Sequence, residues 1–325
     1  MKLCELKEAA RYFLYPYDTN CICDFQPSEL DDCLVCRTCG RRILVTDGVI
    51  EFVTDEVLDS EKKRELDGNF TDISVEFLDS YFDQGIEDKF SSYGLRARQG
   101  PSEVVLKFLT SIGSDEVAFL GCGYGTEIAH LIRNGLRPRR ILASDLTFTS
   151  TSIVPRSLAR YGAECEIVSF TSDLDYCPIK EKRIPIVVYQ ALHHTPDIHQ
   201  TVEALLVFGY NHMVFVEPMD NAVIRFFEKM GLARRVEYSG VKPGKLDVGK
   251  LTGLLRKHGY ECKMTTYWVF PEDYFHMLQE KIPFARHAVF EKLFLILIDV
   301  ITMVGRPLNF GNFVVCELRK NTMLK

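Results

Sequence analysis

The sequence lacks an excess of basic charge. Its 325 residues include 39 lysines and arginines and 45 acidic residues, which gives a net charge of −6. Domains that bind nucleic acid through overall charge are usually basic, so we do not expect a nucleic-acid partner. The arginines within residues 133–140 are more typical of a solvated helix end than of a polyanion-binding patch. Nucleic acid is therefore the less favoured partner.

Long hydrophobic runs are also missing. The most apolar stretch, Leu293–Val304, contains Asp299, and a membrane span needs about 20 apolar residues. Charges near the first residue interrupt the apolar stretch that a signal peptide requires. The eleven cysteines are too dispersed for a disulfide framework and suit a reducing compartment. We therefore expect a cytoplasmic protein with no transmembrane segment.

No internal repeat or low-complexity tract is present, but the composition changes along the chain. Residues 1–54 are rich in cysteine, and residues 55–100 are charged and aromatic. From there on, strand-like apolar runs alternate with helical patterns, which predicts a mostly parallel sheet with helices on both faces. We predict a zinc-ribbon-like N-terminal module (1–54), a helical lid or linker (55–100) and an α/β domain (101–325). A helical insertion at about 272–305 should form two helices on either side of Pro283.

The most informative stretch is the glycine-rich segment Gly121-Cys122-Gly123-Tyr124-Gly125. It follows the apolar run Val117–Leu120 and precedes an apolar helical pattern, which predicts a buried strand, a tight turn and a helix N-terminus. Glycines lack the side chains that would keep an adenosyl or phosphate group away from the backbone. A nicotinamide-binding fingerprint would have a further glycine at position 126, where this chain has threonine, so a dehydrogenase is disfavoured.

Two acidic residues follow later strands of the predicted sheet. Asp145 ends an apolar run about twenty residues after the glycines, where a carboxylate can accept hydrogen bonds from ribose hydroxyls. Asp173 follows the third strand and can accept from an adenine amino group. Either acid alone is more often a helix cap. Because the carboxyl ends of parallel strands form one crevice, the glycines and both acids together indicate a nucleoside site.

The segment from Asp173 to His194 resembles class I S-adenosylmethionine-dependent methyltransferases, particularly those similar to the ubiquinone and menaquinone biosynthesis enzymes. The family pattern Asp-Ala-Glu-x-Leu-Pro-Phe, Phe-Asp-x-Val and Ala-Leu-His-His corresponds here to Asp173–Ile179, Ile184–Val187 and Ala191–His194. The resemblance covers about residues 100–320. It implies a Rossmann-like fold with seven strands, mostly parallel, helices on both faces and an antiparallel last strand.

The resemblance also implies S-adenosylmethionine as the cofactor and assigns roles to individual residues. The glycines would approach its methionine part, Asp145 would bind its ribose and Asp173 its adenine amino group, with Leu146 and Leu174 on either side of the ring. The candidate cofactor-binding residues are Gly121, Cys122, Gly123, Gly125, Asp145, Leu146, Asp173, Leu174 and Gln190.

Two positions depart from the family pattern. Phe119 stands two residues before the first glycine, where the family has an acid that helps to hold the amino group of the cofactor. This change leaves open a domain that no longer methylates and serves as a binding or scaffolding module, or one that uses the crevice for other chemistry. Pro185 replaces the acid of Phe-Asp-x-Val, which is compatible with a strand start.

Methyl transfer from a sulfonium is an in-line displacement, so the protein must mainly align the reactants. Such positioning can contribute about 7–11 kcal/mol. A base is needed only when the nucleophile must lose a proton, and we expect an oxygen or nitrogen of a small molecule as the acceptor. The candidate bases are His193 and His194, after the fourth strand, and Glu217, which ends the fifth. Alternatively, His193 orients a loop and His194 begins the next helix.

The N-terminal module contains the sequence Cys36-Arg37-Thr38-Cys39-Gly40, a spacing at which two thiolates bind one tetrahedral zinc ion. Together with the run up to Ile50, it resembles the zinc ribbon that occurs as a methyltransferase partner subunit or N-terminal extension. Cys21 and Cys23 would complete the set, although Cys33 can replace either, and a ribbon without metal stays open. Four thiolates leave no open coordination position, so a structural Zn²⁺ is expected. A homodimer is a further possibility.

Overall fold

The computed structural model describes residues 3–17, 21, 23–28, 31–54, 58, 62–63, 92–220, 225, 229, 244–269, 279, 282–305 and 311–321. Its α-helices are α1 (Leu3–Ala10), α2 (Ser92–Ile112), α3 (Thr126–Arg133), α4 (Phe148–Arg160), α5 (Ile198–Phe208), α6 (Val248–Lys257) and α7 (Ala288–Gly305). Its strands are β1 (Phe25–Pro27), β2 (Cys33–Cys36), β3 (Arg42–Thr46), β4 (Val49–Glu51), β5 (Glu116–Leu120), β6 (Arg140–Asp145), β7 (Glu166–Thr171), β8 (Ile186–Tyr189), β9 (His212–Pro218), β10 (Tyr260–Tyr267) and β11 (Phe313–Lys320).

The strands form one sheet in the order β1-β2-β3-β4-β7-β6-β5-β8-β9-β11-β10. Strands β5 to β9 are parallel, and β11 runs antiparallel between β9 and β10. The seven strands β5 to β11 therefore form the predicted Rossmann-like fold with an antiparallel last strand. The helices between parallel strands are the crossover connections that such a sheet requires.

The prediction of seven strands was wrong for the sheet as a whole, which has eleven. Strand β4 pairs in parallel with β7, and Ile50 lies opposite Phe170. The antiparallel strands β1 to β4 of the N-terminal module thereby continue the sheet. Strand β7 would otherwise be an edge with unpaired backbone groups, which are a liability for aggregation. The module and the α/β domain thus share one hydrogen-bonded sheet.

The sheet separates two hydrophobic clusters. One contains side chains of α1, α5 and α6, and the other contains side chains of α2, α3 and α4. Along β5, Ala118 and Leu120 belong to the first cluster, whereas Val117 and Phe119 belong to the second, as the alternation of a strand requires. Because both faces are covered, these central strands are almost entirely apolar.

Helix α1 is held at the amino end of the sheet by a buried arginine. The guanidinium of Arg140, at the start of β6, donates to the carboxylates of Glu8 at 2.6 Å and Glu116 at 2.9 Å, and also to Glu166. Arg140 also contacts the hydroxyl of Tyr12, so the segment that follows α1 belongs to the same network. This network lies at the opposite end of the strands from the predicted crevice.

The structure describes two of the predicted segments only in part, the lid at 55–100 and the insertion at 272–305. Most of the predicted lid lies outside the described residues, and residues 92–100 belong to α2, which continues through Pro101. In the predicted insertion, Gln279 is helical and Pro283–Arg286 forms a 3-10 turn before α7; residues 272–278 and 280–281 lie outside the description. The domain division stays a prediction. None of the described helices has the length and apolar character needed to cross a membrane.

Candidate functional site

A cavity of about 250 Å³ lies at the carboxyl ends of β5, β6, β7 and β8. Its lining residues are Lys62, Gly121, Gly123, Asp145, Leu146, Thr147, Ser172, Asp173, Leu174, Gln190, Ala191, His194, Thr195 and Pro196. Most of the predicted cofactor-binding residues are in this set, since the parallel strands all end at one edge. The predicted residues outside the lining are Cys122, Gly125, His193 and Glu217.

The glycines of the loop after β5 have different surroundings. A Cβ at Gly121 would lie 2.4 Å from the Cβ of Ala191, so this glycine allows two loops to pack. A Cβ at Gly123 would meet no described heavy atom within 4 Å, and a ligand can approach the backbone there. Gly125 is the N-cap of α3, and Cys122 packs against the α2–α3–α4 cluster. Gly123 is therefore the glycine best placed for a ligand.

Asp145 is held by the loops on both sides of it. Its Oδ2 accepts from the N–H of Gly123 at 2.8 Å, and its Oδ1 accepts from the N–H of Thr147 at 3.3 Å. Burial raises the pKa of Asp145, and these N–H donors oppose that shift. Each carboxylate oxygen has a second lone pair, so the side chain can still accept from ribose hydroxyls.

Asp173 begins the short 3-10 turn after β7 and has a partner that the sequence did not reveal. Its Oδ1 accepts from the N–H of Asp175 at 3.0 Å. The Nζ of Lys62 lies 2.6 Å from Oδ2 of Asp173 and 2.6 Å from Oδ2 of Asp175. Lys62 is only 6% exposed. It was missed because it belongs to the charged run Glu-Lys-Lys-Arg at residues 61–64, which has no motif character.

Gln190 follows β8 with a backbone conformation that is uncommon for a residue with a side chain. Its φ is +53°, and its N–H donates to the carbonyl oxygen of Val216 at 2.8 Å. Left-handed residues other than glycine are held in place by their surroundings and are enriched at functional sites. This turn directs the following residues, through His194, along the cavity.

Glu217 was expected as a candidate base, and in the structure its carboxylate contacts the loop after β8. The side chain is fully buried, and Oε1 accepts from the N–H groups of Ala191 at 2.9 Å and Leu192 at 2.8 Å. Its Oε2 lies 2.8 Å from Nδ1 of His193. Three donors therefore occupy the carboxylate, which is outside the cavity lining.

The two adjacent histidines have separate surroundings. His193 is buried against Glu217, which favours the interpretation that it orients the loop. His194 lines the cavity, and its ring centroid lies 4.2 Å from that of His193. The alternative that His194 begins the next helix was wrong, because it ends a 3-10 turn and α5 begins at Ile198. Of the two histidines, His194 is therefore the one that lines the cavity.

The two departures from the family pattern have local explanations. Phe119 is 2% exposed and packs in the α2–α3–α4 cluster, away from the cavity lining. Pro185 precedes β8, and its carbonyl oxygen accepts from the N–H of Ala118 at 3.0 Å. A proline there loses no donor that the pairing uses, since the carbonyl makes the contact.

Four sulfurs of the N-terminal module lie together. The Sγ atoms of Cys21, Cys23, Cys36 and Cys39 are all within 4.8 Å of one another, and those of Cys21 and Cys36 are 3.8 Å apart. A tetrahedral zinc ion with Zn–S bonds of about 2.3 Å separates its sulfurs by about 3.8 Å. Cys33 is buried in β2 and outside this group. The donor set therefore fits zinc.

Comparison with known proteins finds no matching family model and no matching curated protein. Similar solved structures include magnesium protoporphyrin IX methyltransferase from Synechocystis PCC 6803 with bound SAH (13% identity, TM-score 0.45, 69% of this chain, 84% of that chain). The YcgJ protein from Bacillus subtilis is similar at 12% identity and a TM-score of 0.47, over 69% of this chain and 99% of that chain.

A chain from the complex between the Haloferax volcanii Trm112 methyltransferase activator and a methyltransferase is also similar. The identity is 12% and the TM-score 0.45, over 76% of this chain and 99% of that chain. Since these TM-scores are below 0.5, the fold assignment rests on the strand order and connections of this chain.

Proposed function

We propose that this protein is an S-adenosylmethionine-dependent methyltransferase that methylates an oxygen or nitrogen of a small molecule. The observation that carries the proposal is that one cavity brings Gly123, Asp145, Asp173 and His194 together at the carboxyl ends of four parallel strands. These groups suit the methionine part, the ribose, the adenine and the acceptor in turn. Leu146 and Leu174 supply apolar walls for the adenine ring.

The chain itself would mainly bind and align the reactants. Bound S-adenosylmethionine supplies an electrophilic methyl group. The backbone at Gly123 and the carboxylate of Asp145 would hold the cofactor on one side of the cavity, so that an acceptor enters from the side of His194. Alignment of this kind can contribute about 7–11 kcal/mol without covalent chemistry.

His194 is the proposed base, and Glu217 and His193 are positioning residues. Glu217 fixes the backbone of the turn and binds His193, whose ring lies against that of His194. We expect His194→Gln to lower turnover at least about 100-fold, because this is the usual contribution of a general base. The affinity for S-adenosylhomocysteine (SAH) should stay within about twofold of the wild-type value. Turnover is measured as SAH release with an acceptor found by screening. Unchanged turnover in the variant would remove His194 from the mechanism.

Calorimetric titration with S-adenosylmethionine and SAH tests the proposal directly. The wild type should bind both at micromolar concentration, and Asp145→Ala should abolish binding. Asp115→Ala is the matched control, because Asp115 is exposed and outside the cavity lining. Absence of wild-type binding up to millimolar ligand would contradict the proposal and favour a binding or scaffolding module.

A structural Zn²⁺ is the second part of the proposal. Cys21, Cys23, Cys36 and Cys39 would hold it, and the ion would fix the knuckle that leads into β2 and β3. Purified protein should contain about one zinc per chain, and Cys39→Ala should lose it. Cys33→Ala is the control that keeps the metal. Less than half an equivalent of zinc in the wild type counts against the site.

The proposed partners are the small-molecule substrate and a second copy of this chain, in the cytoplasm. Helix α7 packs against α2 and β10 and leaves an apolar face exposed. Val289, Leu293, Ile296, Val300 and Met303 on that face are spaced by four, three, four and three residues. Two identical helices pack along such a spacing with knobs into holes, so the face is self-complementary.

A further inference from the structure

Lys62 places a cation at the end of the cavity proposed for adenine. Its ammonium group bridges Asp173 and Asp175, with both N–O distances at 2.6 Å. The second oxygen of Asp175 accepts from the hydroxyl of Thr201 on α5 at 2.5 Å. The Lys62 nitrogen also lies 5.7 Å from the ring centroid of Tyr176. None of the chemistry described so far uses this lysine.

The ion pair leaves acceptor capacity on Asp173. An ionised carboxylate has about four lone-pair sites. Lys62 uses one on Oδ2, and the N–H of Asp175 uses one on Oδ1. An adenine amino group can therefore donate to Asp173 while Lys62 stays in place, so the lysine and the ligand do not compete for the same site.

Without the lysine, the buried Asp173 would carry its charge next to a second carboxylate and with no cation in contact. Desolvation and the neighbouring like charge both favour the protonated form of Asp173. A protonated Asp173 is a weaker acceptor than the carboxylate, and its O–H is a donor that can face the adenine amino group, which is itself a donor. The hydrogen bond from the exocyclic amino group would then be weakened at a buried side chain.

We propose that Lys62 is a specificity-determining positioning residue, which holds Asp173 as a carboxylate acceptor for the 6-amino group of an adenine ligand. This inference rests on the proposed function, because it assumes that an adenosyl group binds in the cavity. The residue acts through Asp173 rather than on the reacting atoms.

The surrounding charges agree with this role. Burial lowers the pKa of Lys62, but Asp173 and Asp175 outweigh it, and the net shift is upward. Burial raises the pKa of Asp173, and Lys62 opposes that rise. The other facing groups are Tyr176 and Thr201, already described, and Tyr17, whose pKa is raised by burial and by Asp173. Among the causes of the shift of Asp173, the cation is Lys62.

The test is SAH titration by calorimetry between pH 5.5 and 8.5 with Lys62→Met and Lys62→Arg. Lys62→Met should bind SAH at least tenfold more weakly at pH 7, and the loss should grow at pH 5.5, because protonation of Asp173 replaces a charged acceptor by a weaker neutral one. Lys62→Arg should recover most of the affinity. Lys63→Met is the matched control, because Lys63 is the exposed neighbour and should leave binding unchanged.

Two further measurements separate this role from a structural one. The wild type should prefer SAH over its 6-oxo analogue, S-inosylhomocysteine, and Lys62→Met should narrow that preference. Adding Asp175→Asn to Lys62→Met should restore part of the affinity, since it removes the like charge. The double variant also keeps the test valid if Lys62→Met alone is unstable.

Some results would overturn the inference while the proposed function stands. These are wild-type SAH binding with equal binding by Lys62→Met at every pH, or tighter binding by Lys62→Met, which would make the lysine a competitor of the ligand. Failure of the wild type to bind SAH would overturn the proposed function itself, and the inference with it.

Discussion

Gly121 and Gly123 are two residues apart, but a Cβ added at each would meet different surroundings. Gly121→Ala should lower the free energy of unfolding by about 2–4 kcal/mol, because its Cβ would clash with Ala191 and its φ is +65°. Gly123→Ala should lower it by only about 1 kcal/mol but weaken SAH binding about tenfold. Urea denaturation and calorimetry measure both effects.

Gly162→Ala is the control for this pair. Gly162 has a φ of +74° and no described heavy atom within 4 Å of its Cβ position, and it is not in the cavity lining. It should show the same strain of about 1 kcal/mol as Gly123→Ala, with normal SAH affinity. Full SAH affinity in Gly123→Ala would show that this backbone does not approach the ligand.

A buried histidine near the glycine loop should make the fold sensitive to acid. Burial, with Arg98 and Arg133, lowers the pKa of His130 to about 4, and its Nε2 lies 3.3 Å from the side-chain amide nitrogen of Asn134. The folded protein favours the neutral ring. The contribution of His130 to the free energy of unfolding is therefore complete above pH 6.5 and is lost as the pH falls towards 4. The shift corresponds to a contribution on the order of 3 kcal/mol.

His130→Gln should therefore flatten the pH dependence of unfolding between pH 6.5 and 4. The glutamine has no charge to gain and still offers an acceptor to Asn134. Urea denaturation at a series of pH values measures the slope. An identical slope in wild type and variant would mean that other groups control the acid sensitivity.

For single residues, the sequence predicted which acids lie at the cavity better than it predicted the face of the sheet on which a side chain packs. Asp145 and Asp173 reach the cavity as expected, since strand ends are readable from the apolar pattern. The role of Phe119 was not readable in the same way. Its place in the α2–α3–α4 cluster depends on which face of β5 it occupies and on which helices cover that face.

At the scale of elements, α7 is the least covered part of the described structure. Among the described residues, twelve large hydrophobic side chains are highly exposed, and nine of these lie within residues 282–304. We expect Val300→Glu to convert a dimer to a monomer, because it places a charge in the middle of the apolar face. Light scattering after size exclusion, over a range of concentrations, measures the change.

Val207→Glu is the matched control for α7, because Val207 is an exposed valine of α5 on another surface. It should leave the dimer intact. A wild type that stays monomeric at high concentration, or a Val300→Glu variant that remains dimeric, would show that α7 does not bind a second copy.

Several elements were predictable because their signals are local. Strand β5, the glycine loop and α3 follow from an apolar run, spaced glycines and a helical period. The pairing of β4 with β7 had no such signal, because nothing in either short strand specifies its neighbour. The predicted boundary between residues 100 and 101 falls inside helix α2, because a proline within a helix sometimes only removes one hydrogen bond.

At the scale of the whole molecule, the shared sheet couples the N-terminal module to the rest. Removing the metal with a strong chelator should lower the melting temperature of the entire protein by about 10 °C or more, in one transition. Loss of the cysteine knuckle would loosen β2 and β3, and through β4 it would uncover the edge strand β7. Calorimetric scanning of zinc-loaded and chelated protein measures the effect.

Zinc-loaded Cys33→Ala is the control, because it loses a cysteine outside the four-sulfur group and should keep the metal. A chelated protein whose main transition is unchanged, with only a small separate loss of signal, would show that the module unfolds alone. The shared sheet would then be too weak to transmit the loss.

The sequence by itself determined the alternation of strands and helices, the residues at the strand ends and the Cys36–Cys39 pair, because each depends on periodicity or spacing among near neighbours. Which further cysteines join that pair was decided by the fold. Only the tertiary structure decided that β4 extends the sheet, that Glu217 turns away from the cavity and that Lys62 meets Asp173. Those contacts join distant parts of the chain: Lys62 and Asp173 are 111 residues apart. Their energy comes from packing and charge pairing that exist only once the whole sheet is assembled.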